Sequence, residues 1–179
     1  MRDHEETWAR LPSSPSGIDR AGITVRELGG LSQLLVSGEI GKAARLAGID
    51  GTGVGALGSA SGERYAVRVA RDRMLIVATA ALSIGDGWHE DGFAVTAMSA
   101  GLTVFEIGGD LADDVVRRAT TLSLSNPGPC AATRFADING FLYRHEGALR
   151  LHVDRGLAAY VWQWLETLLG LMAAETADA

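Results

Sequence analysis

A glycine-rich segment at residues 48–62, GIDGTGVGALGSASG, has the spacing of a loop that binds dinucleotides. Its Gly53, Gly55 and Gly58 match the fingerprint of such loops. That fingerprint functions only where a strand enters the glycines and a helix leaves them, because the helix N-terminus faces the pyrophosphate. Here a helical pattern precedes the glycines and an alternating strand pattern follows them. We therefore interpret the segment as a flexible connection from a helix to a strand.

Side chains that could transfer protons or bind a metal are few. None of the four histidines shows the paired spacing of metal ligands: His4, His89, His145 and His152. His145 and His152 lie on adjacent predicted strands and could approach each other across a hairpin around Gly147, a geometry equally expected of two solvent-facing residues. Asp110, Asp113 and Asp114 open a predicted helix, which suits the helix dipole without a catalytic role. We predict no catalytic, cofactor-binding or metal-binding residue in this chain.

Charge and cysteine content exclude several classes of protein. The formal net charge of −6 argues against affinity for nucleic acid or an anionic membrane. Cys130 is the only cysteine, so no intrachain disulfide can form, and we expect a small buried thiol there. No apolar run approaches the roughly 18 residues that span a bilayer, and the N-terminus lacks a secretory pattern. We expect a cytoplasmic protein.

The 179 residues are enough for one substantial core. We expect a flexible tail at residues 1–17, a single α+β domain at 18–170 and a flexible C-terminus at 171–179. Trp8 stands out in the tail because an aromatic side chain there could dock on the domain or on a partner. The domain divides into two ferredoxin-like halves, at about 20–80 and 90–170.

Alternating and helical patterns place the elements of each half. Strands are predicted at 22–28 and 32–38, joined as a hairpin by Gly29-Gly30, and at 64–70, 73–79, 93–98, 101–109, 132–138, 140–146 and 148–154. Helices are predicted at 39–47, at 111–120 with Asp110 as N-cap, and after a capping Asp154. This order predicts antiparallel sheets with helices packed on one side.

The closing helix has a stripe of apolar residues at helical spacing, and Trp162 projects to one side of it. Its indole therefore either packs under a neighbouring loop or faces another subunit. A buried aromatic anchor with an arginine rim is a common plan for an interface. We predict Trp162, Arg134, Arg144 and Arg150 as interface residues.

Several marks in the second half occur together in a fixed order. They are a strand pair followed by Gly108-Gly109-Asp110 and a helix, the segment Pro127-Gly128-Pro129-Cys130, the strand Ala132-Thr133-Arg134-Phe135, and the aromatic helix Tyr160-Val161-Trp162-Gln163-Trp164-Leu165. With these marks the chain resembles the gamma subunit of heterotetrameric sarcosine oxidases and related N-methyl amino acid dehydrogenases. The resemblance spans about residues 74–170, and residues 22–37 fit more loosely.

The resemblance implies a fold akin to part of the glycine-cleavage T protein and its folate-binding relatives. It also implies a noncatalytic small subunit that holds larger subunits together and binds no cofactor itself. In that family the alpha and beta flavoprotein subunits hold FAD, FMN and NAD, a delta subunit binds zinc, and tetrahydrofolate acts at alpha. The complex would oxidise sarcosine or another N-methylated amine.

Two other functions remain open. One is a stand-alone protein that binds tetrahydrofolate or transfers aminomethyl groups. Relatives commonly have Asp-Leu-Ser where this chain has Ala97-Met98-Ser99, so the carboxylate that would hold the pterin is lost, although Glu106 could substitute. The other is a small homo-oligomeric scaffold.

Overall fold

The computed structural model describes residues 17–20 and 22–177. The predictions for residues 1–16, including the docking of Trp8, lie outside the described residues. The strands are β1 (Ile18–Arg20), β2 (Ile23–Leu28), β3 (Ser32–Gly38), β4 (Ser59–Ala60), β5 (Arg64–Ala70), β6 (Arg73–Ala78), β7 (Gly87–His89), β8 (Phe93–Ala97), β9 (Leu102–Gly108), β10 (Ala132–Phe135), β11 (Ile138–His145) and β12 (Ala148–Asp154). The helices are α1 (Ile40–Leu46), α2 (Ala112–Ala119) and α3 (Ala158–Ala177).

The strands form two sheets. The first sheet has the order β1-β2-β9-β12-β11-β10, with the short β4 added to β11 in parallel. The second sheet has the order β5-β6-β3-β8-β7. All the neighbours along these two paths are antiparallel.

The described residues form four layers: α2 and α3, the first sheet, the second sheet, and α1. Each sheet contacts two layers because its side chains alternate between its two faces. In β12, Leu149, Leu151 and Val153 pack against α2 and α3, whereas Arg150 and His152 face the second sheet. A separate apolar cluster between the sheets includes Val67, Leu75 and Val104, and a third cluster lies between the second sheet and α1. Each sheet thus has helix on one face and sheet on the other, which confirms the predicted α+β fold with antiparallel sheets and helices on one side of each sheet.

The helix termini differ in part from the sequence expectation. Asp154 caps as predicted, since its Oδ1 accepts a hydrogen bond of 2.8 Å from the Gly156 amide at the 3₁₀ turn that precedes α3. The prediction of Asp110 as N-cap of α2 was wrong, because Leu111 occupies that position without a side-chain cap. Helix α3 continues past the predicted boundary at residue 170, and Met172 packs into the core.

The connection at Gly29-Gly30 is not a hairpin. Strand β2 pairs with β9 in the first sheet, whereas β3 pairs with β6 and β8 in the second. Leu31, directly after the glycines, is buried between the two sheets, at the point where the chain crosses from the first sheet to the second. The glycine pair lets the chain bend between β2 and β3. Which strand each of them pairs with depends on which of their faces become buried.

The glycine loop packs tightly against its surroundings. Val54 forms a parallel bridge with Val67 of β5, and Ala56 and Leu57 are buried. A Cβ atom at Gly55 would lie only 1.9 Å from the carbonyl oxygen of Gly128. The interpretation as a connection between a helix and a strand is therefore correct, since α1 precedes the loop, but the loop is a packing element of the core.

Candidate functional site

Trp162 lies in the core of the described chain. Its side chain is 6% exposed, and its ring centroid is 6.1 Å from that of Phe105 in β9. The indole thus packs inside the domain against a strand of the first sheet, and not under a neighbouring loop. The interface prediction for Trp162 is corrected accordingly, because a side chain enclosed by the first sheet and α3 is not available as an exposed anchor.

Arg134 lies at a surface groove between the C-terminal end of α2, the β10–β11 turn and the start of α3. The groove has a volume of about 490 Å³. Its lining side chains include Arg117, Arg118, Arg134, Tyr160 and Trp164. Each arginine has one carboxylate partner, at Asp114, Glu175 and Asp137 respectively. The groove thus combines exposed arginines with half-exposed aromatic rings, which is the composition expected of an interface.

The floor of this groove is an uncommon hairpin turn. Phe135 pairs with Ile138, so Ala136 and Asp137 form a two-residue turn with φ values of 48° and 65°. Positive φ at both positions is the geometry that usually requires Asn-Gly. Ala136 keeps it because its amide donates to Ala119 and its carbonyl accepts from the Tyr160 hydroxyl, each at 2.9 Å. The turn is therefore fixed by α2 and α3.

The two other predicted interface arginines make internal contacts. Arg144 of β11 is partly buried and donates to the carboxylate of Asp113 in α2. Arg150 of β12 lies deeper, between the sheets, where its Nε and Nη2 atoms are both 3.1 Å from the Glu106 carboxylate. The structure therefore does not bring Arg134, Arg144 and Arg150 together with Trp162 into one surface.

A continuous chain of polar side chains crosses the space between the two sheets. Arg150 Nη1 donates to the Tyr65 hydroxyl at 2.7 Å, and the Tyr65 and Tyr143 hydroxyls are 2.8 Å apart. The Tyr143 hydroxyl is 2.7 Å from His152 Nε2, and His152 Nδ1 is 2.7 Å from Gln33 Oε1. This chain, from Glu106 to Gln33, is hereafter the polar relay.

From Arg150 to Gln33, the hydrogen bonds of the polar relay are all donated in the same direction. The guanidinium of Arg150 can only donate, and the amide oxygen of Gln33 can only accept. Tyr65 therefore donates to Tyr143, and Tyr143 donates to His152 Nε2. His152 is neutral with its proton on Nδ1, which donates to Gln33. Each hydroxyl thus accepts one hydrogen bond and donates another.

The relay holds its histidine and its two tyrosines in their neutral forms. Burial, with a smaller contribution from the positive charge of Arg150, lowers the pKa of His152 from 6.5 to about 3. Burial also raises the pKa of Tyr65 and raises that of Tyr143 well above its usual value. A histidine of such low basicity is a poor proton acceptor at neutral pH, so the relay is suited to joining the sheets rather than to acid–base catalysis.

Sequence reasoning missed the relay as a unit. The alternation of β12 placed Arg150 and His152 on one face, and that assignment is confirmed. His145 and His152 do not approach each other through the hairpin register, since His145 pairs with Ala148 and His152 with Phe141. Both are buried, so they are not a solvent-facing pair either. The signal in the sequence that could have revealed the relay was the pairing of Tyr143 with Arg150 across β11 and β12. That pairing can be recognised only once the register of the two strands is known.

The remaining chemistry-bearing groups in the described part of the chain form no metal site. Cys130 is partly exposed rather than fully buried. Within residues 17–20 and 22–177, no three His, Cys, Asp or Glu side chains are placed to hold a metal ion. Among the same described residues, none of the helices is long and apolar enough to cross a membrane.

The comparisons with known proteins identify the fold. Neither a protein-family model nor a curated protein sequence matches the chain. A solved structure, heterotetrameric sarcosine oxidase from Corynebacterium sp. U-96 in complex with pyrrole 2-carboxylate, contains a chain similar to this one. The TM-score is 0.58 and the identity 23%, over 80% of this chain and 81% of that chain. The two chains therefore share a fold.

Proposed function

We propose that this chain is a noncatalytic, gamma-like subunit of a heteromeric flavin-dependent oxidase or dehydrogenase. The observation that carries the proposal is the fold shared with a chain of heterotetrameric sarcosine oxidase. Because 80% and 81% of the two chains are covered, they are nearly equal in length. This favours a small subunit over a large one that carries flavin.

The proposed role is to bind and order larger subunits. The partners are alpha and beta flavoprotein subunits and a small zinc-binding delta subunit. FAD, FMN, NAD, zinc and tetrahydrofolate belong to those partners, and the substrate is sarcosine or another N-methylated amine. The groove around Arg134 supports the role, because its exposed arginines and aromatic rings are supported by a fixed turn and need little reordering on binding.

The test is affinity purification of the tagged full chain from its native host. We expect two larger chains in constant ratio with it, identified by mass spectrometry, and flavin absorbance in the eluate. A colourless eluate that contains this chain alone would overturn the proposal.

A charge reversal tests whether the groove takes part. Arg134→Glu should lower the recovered flavin per tagged chain several-fold, because it places a negative charge on the groove wall. Arg45→Glu, at an exposed position in α1, is the matched control and should leave recovery unchanged.

The alternative function, binding of tetrahydrofolate, depends on a free carboxylate. Glu106 is paired with Arg150, which is itself bonded to Tyr65. Binding of a pterin by Glu106 would therefore disrupt the relay and leave Arg150 partly buried without its partner. We expect no saturable binding of tetrahydrofolate by the isolated chain in calorimetric titration, and tight binding would favour the alternative.

A further inference from the structure

Trp88 is the most exposed large apolar side chain of the described residues, at 74%. It lies in β7, one of the two edge strands of the second sheet, and pairs with Ala94 of β8. Residues paired across strands point to the same face of their sheet, so Trp88 and Ala94 share one face of the second sheet. At β5 and β6 this same face packs against the first sheet, and Val67 and Val77 are buried there. At β8 and β7 the first sheet no longer covers this face, since Thr96 and Trp88 are both exposed.

The segment that carries Trp88 is held in place from several sides. His89 stacks on Phe93 with ring centroids 4.4 Å apart, and its Nε2 atom is 2.8 Å from the Gly85 carbonyl oxygen. The Gly92 amide donates to the His89 carbonyl, and Lys42 Nζ donates to the Asp91 carbonyl, each at 3.0 Å. The indole is thus presented by an ordered segment, so its burial in an interface would cost little conformational entropy.

Three acidic residues flank Trp88 in the sequence. Asp86, Glu90 and Asp91 lie within three residues of Trp88, and all three are exposed. None of these carboxylates forms an ion pair with another residue in the part of the chain that the structure describes. By contrast, each arginine of the groove around Arg134 has a carboxylate partner. The Trp88 surface therefore has both an apolar plane and free anionic groups.

We propose that the surface formed by Trp88, Asp86, Glu90 and Asp91 docks an arginine-bearing segment of a larger partner subunit. Guanidinium groups stack on indole faces and pair with carboxylates through two parallel hydrogen bonds, so arginine satisfies both features at once. This inference rests on the proposed function, because it assigns one surface through which the subunit binds its complex. It shares no residue with the groove around Arg134.

The test compares variants of the full chain purified with its complex. Trp88→Ala should weaken the affinity for the flavin-bearing subunits at least tenfold, as expected for a central aromatic residue of an interface. The triple variant Asp86→Asn, Glu90→Gln, Asp91→Asn should weaken it and reduce its dependence on salt. Leu171→Ala, at another exposed apolar position, is the control and should bind as the wild type does. Because Trp88 is exposed, Trp88→Ala should keep the wild-type melting temperature.

The outcomes separate this inference from the proposed function. If the wild type captures flavoprotein subunits and Trp88→Ala captures them equally well, the docking surface is wrong and the proposed function stands. If the wild type captures none, both are overturned. A homodimer that Trp88→Ala dissociates would show that a second copy of the chain covers the surface, which also overturns the inference. Hydroxyl-radical footprinting gives an independent measurement, since oxidation of Trp88 should fall when the complex forms.

Discussion

At the scale of residues, the polar relay is the part of this molecule where loss of a single polar atom should affect stability most. Tyr143 and His152 are fully buried, yet each of their polar atoms in the relay has a partner. Buried polar groups that are fully satisfied fix the relative position of the elements that carry them. Removal of one member leaves its neighbours unsatisfied where water cannot reach them.

Tyr143→Phe removes the central hydroxyl of the relay. The Tyr65 hydroxyl then has no acceptor and His152 Nε2 no donor, so we expect the free energy of unfolding to fall by about 1–3 kcal/mol. Urea unfolding measures this loss. Tyr160→Phe is the control, because its hydroxyl lies on a half-exposed ring where water can replace the hydrogen bond. Equal small losses in the two variants would show that the relay does not stabilise the fold.

His152 should make the protein sensitive to acid. Its pKa is about 3 in the folded chain and near 6.5 when unfolded, so the unfolded state binds more protons between these values. The free energy of unfolding should therefore fall as the pH drops from about 6.5 towards 3, by up to about 1.4 kcal/mol per pH unit. His152→Gln should remove this part of the slope, whereas His89→Gln should retain it. An unchanged slope in His152→Gln would contradict the prediction.

Trp162→Ala should act on stability, since the indole fills the space between α3 and Phe105. We expect a loss of about 3–5 kcal/mol, the usual range for deletion of a buried tryptophan. Thermal and urea unfolding measure it. A variant that keeps the wild-type melting temperature but no longer joins the complex would return Trp162 to the interface.

At the scale of elements, local patterns identified strands and helices but did not decide how they associate. The predicted strands at 64–70 and 73–79 pair with each other as β5 and β6. The strands on either side of Gly29-Gly30 separated into different sheets. The glycine loop became a packed element because Gly55 allows the loop to meet the Gly128 backbone. A side chain is excluded there by close contact with that backbone.

Gly55→Ala tests this packing. The added methyl group would collide with the Gly128 carbonyl, so the backbone must move, and we expect a loss of about 1–3 kcal/mol in chemical unfolding. Gly85→Ala is the matched control, because no heavy atom lies within 4 Å of the position of its Cβ. Similar stability of the two variants would contradict close packing of the loop.

At the scale of the whole molecule, the two sheets are interleaved along the chain. Strand β2 from the first half pairs with β9 from the second, and β3 pairs with β8. The predicted halves, at about 20–80 and 90–170, therefore contribute strands to both sheets. Neither half contains a complete sheet with its covering helices, so most of the hydrophobic core depends on the intact chain.

Fragments of residues 18–80 and 81–177 should each fail to fold alone. Each fragment would expose the faces and strand edges that the other covers, so we expect no cooperative unfolding transition for either. Circular dichroism during urea titration measures this, with the full chain as the control. A cooperative transition in either fragment would show that the halves are independent units.

The sequence by itself determined the positions and types of the longer elements, but not the short strands β1, β4 and β7. Helical spacing located α1, α2 and most of α3, and alternation located the principal strands. It also assigned Leu149, Leu151 and Val153 to one face of β12 and Arg150 and His152 to the other. These features are local, because the period of apolar residues depends only on the geometry of one strand or one helix.

Only the tertiary structure decided which strands pair and what lies opposite each face. The second face of β12 could have met solvent, but it meets the second sheet, so Arg150 and His152 become members of a buried relay. Trp162 could have faced a partner, but Phe105 lies opposite it. Burial and long-range pairing depend on segments that are distant in the chain, and no local period encodes which of them will come together.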